Sequence, residues 1–144
     1  MKFLILNGPN INMLGIREPE IYGEETYDAL VEKVKEHAEE IGVEVEFFQS
    51  NHEGALIDEI QRGLGDVYKR QLIDEIQRAY FSQVDGIVFN PAGYTHTSIA
   101  LADAVKAVSI PTVEVHISYV SERETYRQIS FVRAVAIDTV EGQG

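Results

Sequence analysis

Arg17 and Tyr22, in GIREPEIYG, put a fixed cation and a phenol into one short stretch. A free tyrosine has a pKa near ~10 and is a poor base at neutral pH. A guanidinium beside it favours the phenolate, so the pair can form a general base delivered by a closing loop. The same residues also fit a surface arginine next to a half-buried aromatic. Glu114 and His116, in TVEVH, stand two apart on an expected strand, so both side chains leave one face. A carboxylate next to an imidazole orients the ring and makes it a competent proton donor near neutrality. A strand end facing solvent is the plainer alternative. His96, in YTHTS, reads as a capping-region histidine or a ligand contact. With Glu114 the two histidines also form a two-His-one-carboxylate metal set, although the loops add no further acidic ligand. Asn10 and Asn90 each follow a short apolar run and can donate amide N–H groups to oxygen. Ile117 and Ser118 come just before an expected short helix, where free backbone N–H groups suit a carboxylate. A tyrosine base, a histidine acid and an anion pocket together fit proton removal beside a carbonyl, then acid-assisted loss of a hydroxyl.

These groups are far apart in the chain, so the fold must gather them. Short apolar runs predict strands at Lys2 to Leu6, Val43 to Phe48, Gly86 to Phe89, Thr112 to His116 and Val132 to Val140. Helical patterns fill Thr26 to Ile41, the stretch from Ala55 and Ser98 to Val108, with a short helix at Glu122 to Ile129. Residues 7–25 have little periodicity and read as one long loop, a length usually kept for function. Strands alternating with helices predict an α/β fold with a parallel sheet covered on both faces. Ligands in such sheets bind at the C-terminal strand ends, where the loops of Asn10, Asn90 and His116 lie.

The 144 residues suit a single domain, and a hydrophobic content of 44% suits a globular one. Twenty-four acidic residues against 12 basic give a formal charge of −12, which argues against a nucleic-acid partner. An anionic ligand would need a local pocket of arginine and backbone N–H groups. The absence of cysteine excludes disulfides and thiolate metal sites. No stretch is apolar for long enough to span a bilayer, so no membrane partner and a cytoplasmic location are expected.

Four stretches, in order, carry a resemblance: LNGPNINMLGIREPEIYG, QSNHEGALID, NPAGYTHTSIALADA and EVHIS. They are similar to the successive signatures of the type II 3-dehydroquinate dehydratases, the type II dehydroquinases of the shikimate pathway. The resemblance implies a flavodoxin-like three-layer sandwich with a parallel five-stranded sheet, and a dodecamer built as a tetramer of trimers. It implies a hydro-lyase without cofactor or metal, removing water from 3-dehydroquinate by anti elimination through an enolate to give 3-dehydroshikimate. By position, Tyr22 would take the proton, activated by Arg17, and Asn10 would hold the water that stabilises the enolate. His116, paired with Glu114, would protonate the departing hydroxyl. Asn90, Ile117 and Ser118 would bind the substrate carboxylate, His96 and Arg127 the ring hydroxyls, and Asp103 would reach in from a neighbouring subunit. Tyr119 departs from the asparagine common at that place. The competing class is an inactive or binding-only flavodoxin-like scaffold. A receiver-type signalling domain fits less well, because the first strand ends in Asn-Gly-Pro rather than an acidic pair.

The other departure is a repeat: LIDEIQR occurs at residues 56–62 and again at 72–78, separated by the spacer GLGDVYKRQ. Removing one copy with the spacer leaves HEGALIDEIQRAYFSQVDGIVFN, an uninterrupted family-like sequence. This predicts one domain over 1–144 with a duplicated helical insertion of about sixteen residues within 56–78. At ~100° per residue, sixteen residues turn a continuous helix about 160° beyond whole turns. Both copies therefore cannot bury the same stripe on one sheet, so one must dock while the other has no place there. A tolerated surface insertion, an interaction element and an assembly artefact all fit two identical copies.

Overall fold

Short apolar runs become the strands of a single sheet. β1 (Lys2–Asn7), β2 (Glu44–Gln49), β3 (Gly86–Asn90), β4 (Thr112–His116) and β5 (Asp138–Glu141) pair in the order β2-β1-β3-β4-β5, all parallel. The computed structural model describes residues 1–64 and 83–142. Within them lie the short α1 (Pro19–Tyr22), α2 (Tyr27–Ile41), α3 (Glu53–Arg62) and α4 (Ile99–Val108). From β1 the chain moves first to β2, then returns to the other side for β3 and β4. Right-handed crossovers then put α2 on one face and α3 with α4 on the other. This is the flavodoxin-like order, and the reversal lies between β1 and β3.

The helix ends follow local chemistry. Thr26 caps α2, its Oγ1 accepting from the Ala29 N–H at 3.2 Å, and Gly42 closes the helix at φ 71°. Ser98 caps α4 with its Oγ accepting from the Leu101 N–H at 3.0 Å. On the α3/α4 face, Leu4 and Leu6 stand in register with Ile87 and Phe89. Leu56 and Ile60 from α3, with Leu101 and Val105 from α4, close over them, all no more than 2% exposed. On the opposite face α2 packs against β2, and Val88, Val113 and Val115 are half-buried.

The first LIDEIQR copy is therefore the one seated on the sheet, as the phase argument required of one of them. The second copy, residues 72–78, lies outside the described residues. The described chain leaves and re-enters at one point: Leu64 bridges Gln83, and the Val84 N–H donates to the Gly63 carbonyl at 3.1 Å.

Three expectations are corrected. Residues 7–25 are not one irregular loop, because Ile11–Met13 forms a 3₁₀ turn and Pro19, with its preset φ, opens α1. The helix expected over Glu122 to Ile129 is two separate 3₁₀ turns, Val120–Glu122 and Thr125–Arg127. Of the last expected strand only Asp138–Glu141 pairs with β4. Before it, Val132 and Val135 reach the core three residues apart from a turn, so the apolar run there is not a strand.

Because Leu56 is fully buried, Leu56→Ala is expected to lower stability by about 2–5 kcal/mol. Urea unfolding measures it, and a change below about 1 kcal/mol would mean that this copy is not the seated one.

Candidate active site

The cavity begins where the strand order reverses. The Gly8 N–H donates to the Asn90 carbonyl at 2.7 Å, and a Cβ on Gly8 would lie 2.5 Å from the Pro91 carbonyl oxygen. Only glycine lets the loops after β1 and β3 approach so closely. The chain then passes through Asn10 at φ 67°, a left-handed conformation that asparagine tolerates. Asn10 is held by Asn51, whose Oδ1 accepts from the Asn10 N–H at 2.9 Å and from Gln49 Nε2 at 3.1 Å. The QSN stretch after β2 thus supports the first loop. Asn90, nearly buried, turns its own Oδ1 onto the Ala92 N–H at 3.1 Å.

Tyr22 ends α1 and lies between two guanidinium groups. Arg17 stands 5.6 Å from the ring centroid and Arg123 stands 5.8 Å away. The direct contact is with Arg123, whose Nη1 donates to the Tyr22 hydroxyl at 2.8 Å. That bond, opposed by burial, raises the Arg123 pKa above the usual arginine value. Arg17 pairs instead with Glu18 at 3.2 Å. Arg123 was missed in the sequence because it is 101 residues from Tyr22, and no local spacing connects them.

Glu114 and His116 share a face of β4 as expected, but that face is interior. Glu114 is fully buried and His116 only 8% exposed, which removes the solvent-facing alternative. His116 Nε2 meets Glu114 Oε1 at 2.5 Å, leaving its other ring nitrogen for the cavity. The second Glu114 oxygen accepts from Ser130 Oγ at 2.7 Å, and Arg133 Nη2 stands 3.9 Å from the first. A buried carboxylate needs such partners. His96 Nδ1 meets the Ile129 carbonyl at 2.7 Å. A carbonyl only accepts, so Nδ1 carries the proton and the neutral ring keeps Nε2 as an acceptor. Burial, together with the charges of Arg127 and His116, holds the His96 pKa below the ordinary imidazole value against that hydrogen bond.

A cavity of about 200 Å³ gathers Asn10, Arg17, Tyr22, Asn90, His96, His116, Ile117, Ser118 and Arg127, with Arg123 added. Among the described residues three arginines line it and no acidic side chain does. Glu114 stands behind His116, and Asp103 lies exposed on α4, away from the cavity of its own chain. The amides expected at the start of a helix after Ser118 are in part taken. Val120 N–H and Ser121 N–H both donate to Glu141 Oε2, at 3.1 and 3.3 Å. Among the described residues no group of three or more His, Asp or Glu side chains is arranged to hold a metal ion.

The profile of the family described as Dehydroquinase class II matches residues 1–69 and 66–144. This chain belongs to that family. The two matched stretches overlap in the spacer, and each contains one LIDEIQR copy. The 3-dehydroquinate dehydratase of Lachnospira eligens is 50% identical over 145 residues, covering 100% of this chain and 88% of the relative. That of Caldicellulosiruptor bescii is 46% identical over 143 residues, covering 99% and 88%. The crystal structure of type II dehydroquinase from Butyrivibrio crossotus matches with a TM-score of 0.83 at 47% identity, over 99% of this chain and 88% of that one. The family's flavodoxin-like sheet is the one observed here.

The depressed His96 pKa has a consequence for stability. Below the ordinary imidazole value of ~6.5 the unfolded chain binds a proton that the native ring resists, so stability falls as pH drops towards the folded value. Chemical denaturation at pH 7.5 and pH 5 is expected to show a smaller acid-side loss in His96→Gln than in the parent. Equal losses would assign the acid sensitivity to other groups.

Proposed function

We propose that this chain is a 3-dehydroquinate dehydratase, a hydro-lyase of the shikimate pathway and so of aromatic amino acid biosynthesis. The observation that carries the reading is one cavity lined by a tyrosine between two arginines and by a histidine backed with a buried carboxylate. Tyr22, with Arg123 donating to its oxygen and Arg17 beside its ring, takes the proton at C2 of the substrate and leaves an enolate. A water held by Asn10 donates to the enolate oxygen. His116 passes a proton to the C1 hydroxyl, which leaves as water with the electrons of its C–O bond, and Glu114 steadies the resulting change of charge. Protons balance over the cycle once Tyr22 returns its proton and His116 regains one. The carboxylate is assigned to Asn90, Ile117 and Ser118, and the ring hydroxyls to His96 and Arg127. A basic cavity in a chain of net charge −12 supports an anionic substrate.

The reading includes a homo-oligomer, a dodecamer of four trimers, in which Asp103 of one subunit completes a neighbour's cavity. Its exposed place on α4 supports that assignment. It also includes a cytoplasmic location. Among the described residues no helix is long and apolar enough to cross a membrane. The chain is read as one catalytic domain carrying a duplicated insertion. Seating of the first copy in α3 and the closed stem at Leu64 and Gln83 support it.

Purified protein given 3-dehydroquinate should form an enone that absorbs in the ultraviolet, at a rate unchanged by EDTA or borohydride. Tyr22→Phe should lower kcat by about 10²–10⁴-fold. An inactive parent enzyme, or a fully active Tyr22→Phe variant, would sink the mechanism. Deletion of residues 63–78 is expected to leave a folded enzyme with at least parental kcat and an unchanged or larger assembly by size-exclusion chromatography. Loss of folding on deletion would show that the repeat is structural.

A further inference from the structure

The turn after His116 is fastened from β5 in addition to its own hydrogen bonds, in which the Glu122 and Arg123 N–H groups donate to the Tyr119 and Val120 carbonyls. Glu141 stands in register with His116 across the β4–β5 pair. Its Oε2 accepts from the Val120 and Ser121 N–H groups at 3.1 and 3.3 Å, and its Oε1 from Ser121 Oγ at 2.7 Å. One residue on, the Gly142 N–H donates to the His116 carbonyl at 3.1 Å. Tyr119 fills the space over Gly142, where a Cβ would fall 2.1 Å from its ring. Gly142, at φ 73°, holds a left-handed conformation that favours glycine. Arg133 Nη2 lies 3.5 Å from Glu141 and 3.9 Å from Glu114, so one cation neighbours both carboxylates. The turn between these ties contains Ile117 and Ser118.

We propose that Glu141 is a positioning residue that fixes the Ile117–Ser121 turn in the shape that receives the substrate carboxylate. The inference rests on the dehydratase reading of the cavity. Two adjacent backbone donors and a hydroxyl converge on one side chain, so its removal takes the shared acceptor from three donors at once and leaves them to water. Burial works against the Glu141 charge, but the Ser121 bonds, Arg133 and the Val120 N–H hold its carboxyl below the usual carboxylate range. Glu141 therefore accepts as an anion, which strengthens each bond. It does not line the cavity, so it acts through the turn. Tyr119 belongs to the same turn, and its half-exposed ring lies against Gly142 at the end of β5.

Carboxylate binding is shared by the substrate and the transition state, so a loosened turn should raise KM and spare kcat. For Glu141→Ala the expected result is a KM about tenfold higher with kcat within about threefold, and faster amide exchange at Val120 and Ser121. Glu141→Gln keeps one accepting oxygen and should fall between the parent and the alanine variant in both readouts. If the alanine variant does not fold, the glutamine variant decides. Unchanged KM, unchanged exchange, or a loss confined to kcat overturns the proposal. A parent enzyme without turnover would instead overturn the dehydratase reading, and the exchange rates would then decide alone whether Glu141 holds the turn.

Discussion

The close approach of the loops after β1 and β3 is the constraint on which the site depends. Strand order reverses there, so the loops diverge towards opposite faces and leave a crevice between them. The Gly8–Asn90 hydrogen bond pins the crevice at its narrowest point, and no side chain larger than hydrogen fits at Gly8. Asn10 and Asn90 are brought together by that contact and not by any affinity for each other. The Gln49 and Asn51 side chains then fix how the Asn10 backbone leaves it. Polar groups dominate this floor because backbone carbonyls and amides converge where strands end, and each needs a partner.

Electrostatics in the cavity run against those of the whole chain. Three of the 12 basic residues line it, and among the described residues no acidic side chain does. Long-range attraction for an anion is weak in such a protein, and capture falls to short-range pairing inside a partly enclosed space. The arginines are also spaced for distinct work. Arg123 holds the Tyr22 hydroxyl, Arg17 flanks the ring, and Arg127 stands near His96. Keeping His96 neutral fits this arrangement, since another cation would be repelled by Arg127. Among the described residues Glu114 is the one buried carboxylate, and His116, Ser130 and the nearby Arg133 compensate its desolvation together.

Legibility in the sequence followed the range of the interaction. Thr26, Gly42 and Ser98 announce helix ends because capping acts over three or four residues. Glu114 and His116 could be paired because a strand repeats every two residues, although burial of that face depended on α3 and α4 and could not be read locally. The contact between Tyr22 and Arg123 spans 101 residues and that between Glu141 and Ser121 spans 20, so neither leaves a spacing signal. Val132 and Val135 show the opposite failure. An apolar run that predicted a strand was produced by two residues reaching the core from a turn. Recognition of the family motifs recovered most of the lining residues, but it did not point to Gln49, Glu141 or Gly142 as supports.

The first LIDEIQR copy runs into a stem that lies away from the cavity. Gly63 and Leu64 follow α3, and Gln83 and Val84 precede β3, so the stem lies at the N-terminal edge of the sheet. The cavity lies at the C-terminal edge, about 15 Å away along a five-residue strand. In a parallel sheet the loops at these two edges do different work, one joining helices to strands and the other holding ligand. Added chain at the first edge perturbs the second only if it displaces a helix. α3 keeps Leu56 and Ile60 fully buried, and the closed stem returns the chain to β3 without changing its register with β1. The entropic cost of a longer loop grows only with the logarithm of its length.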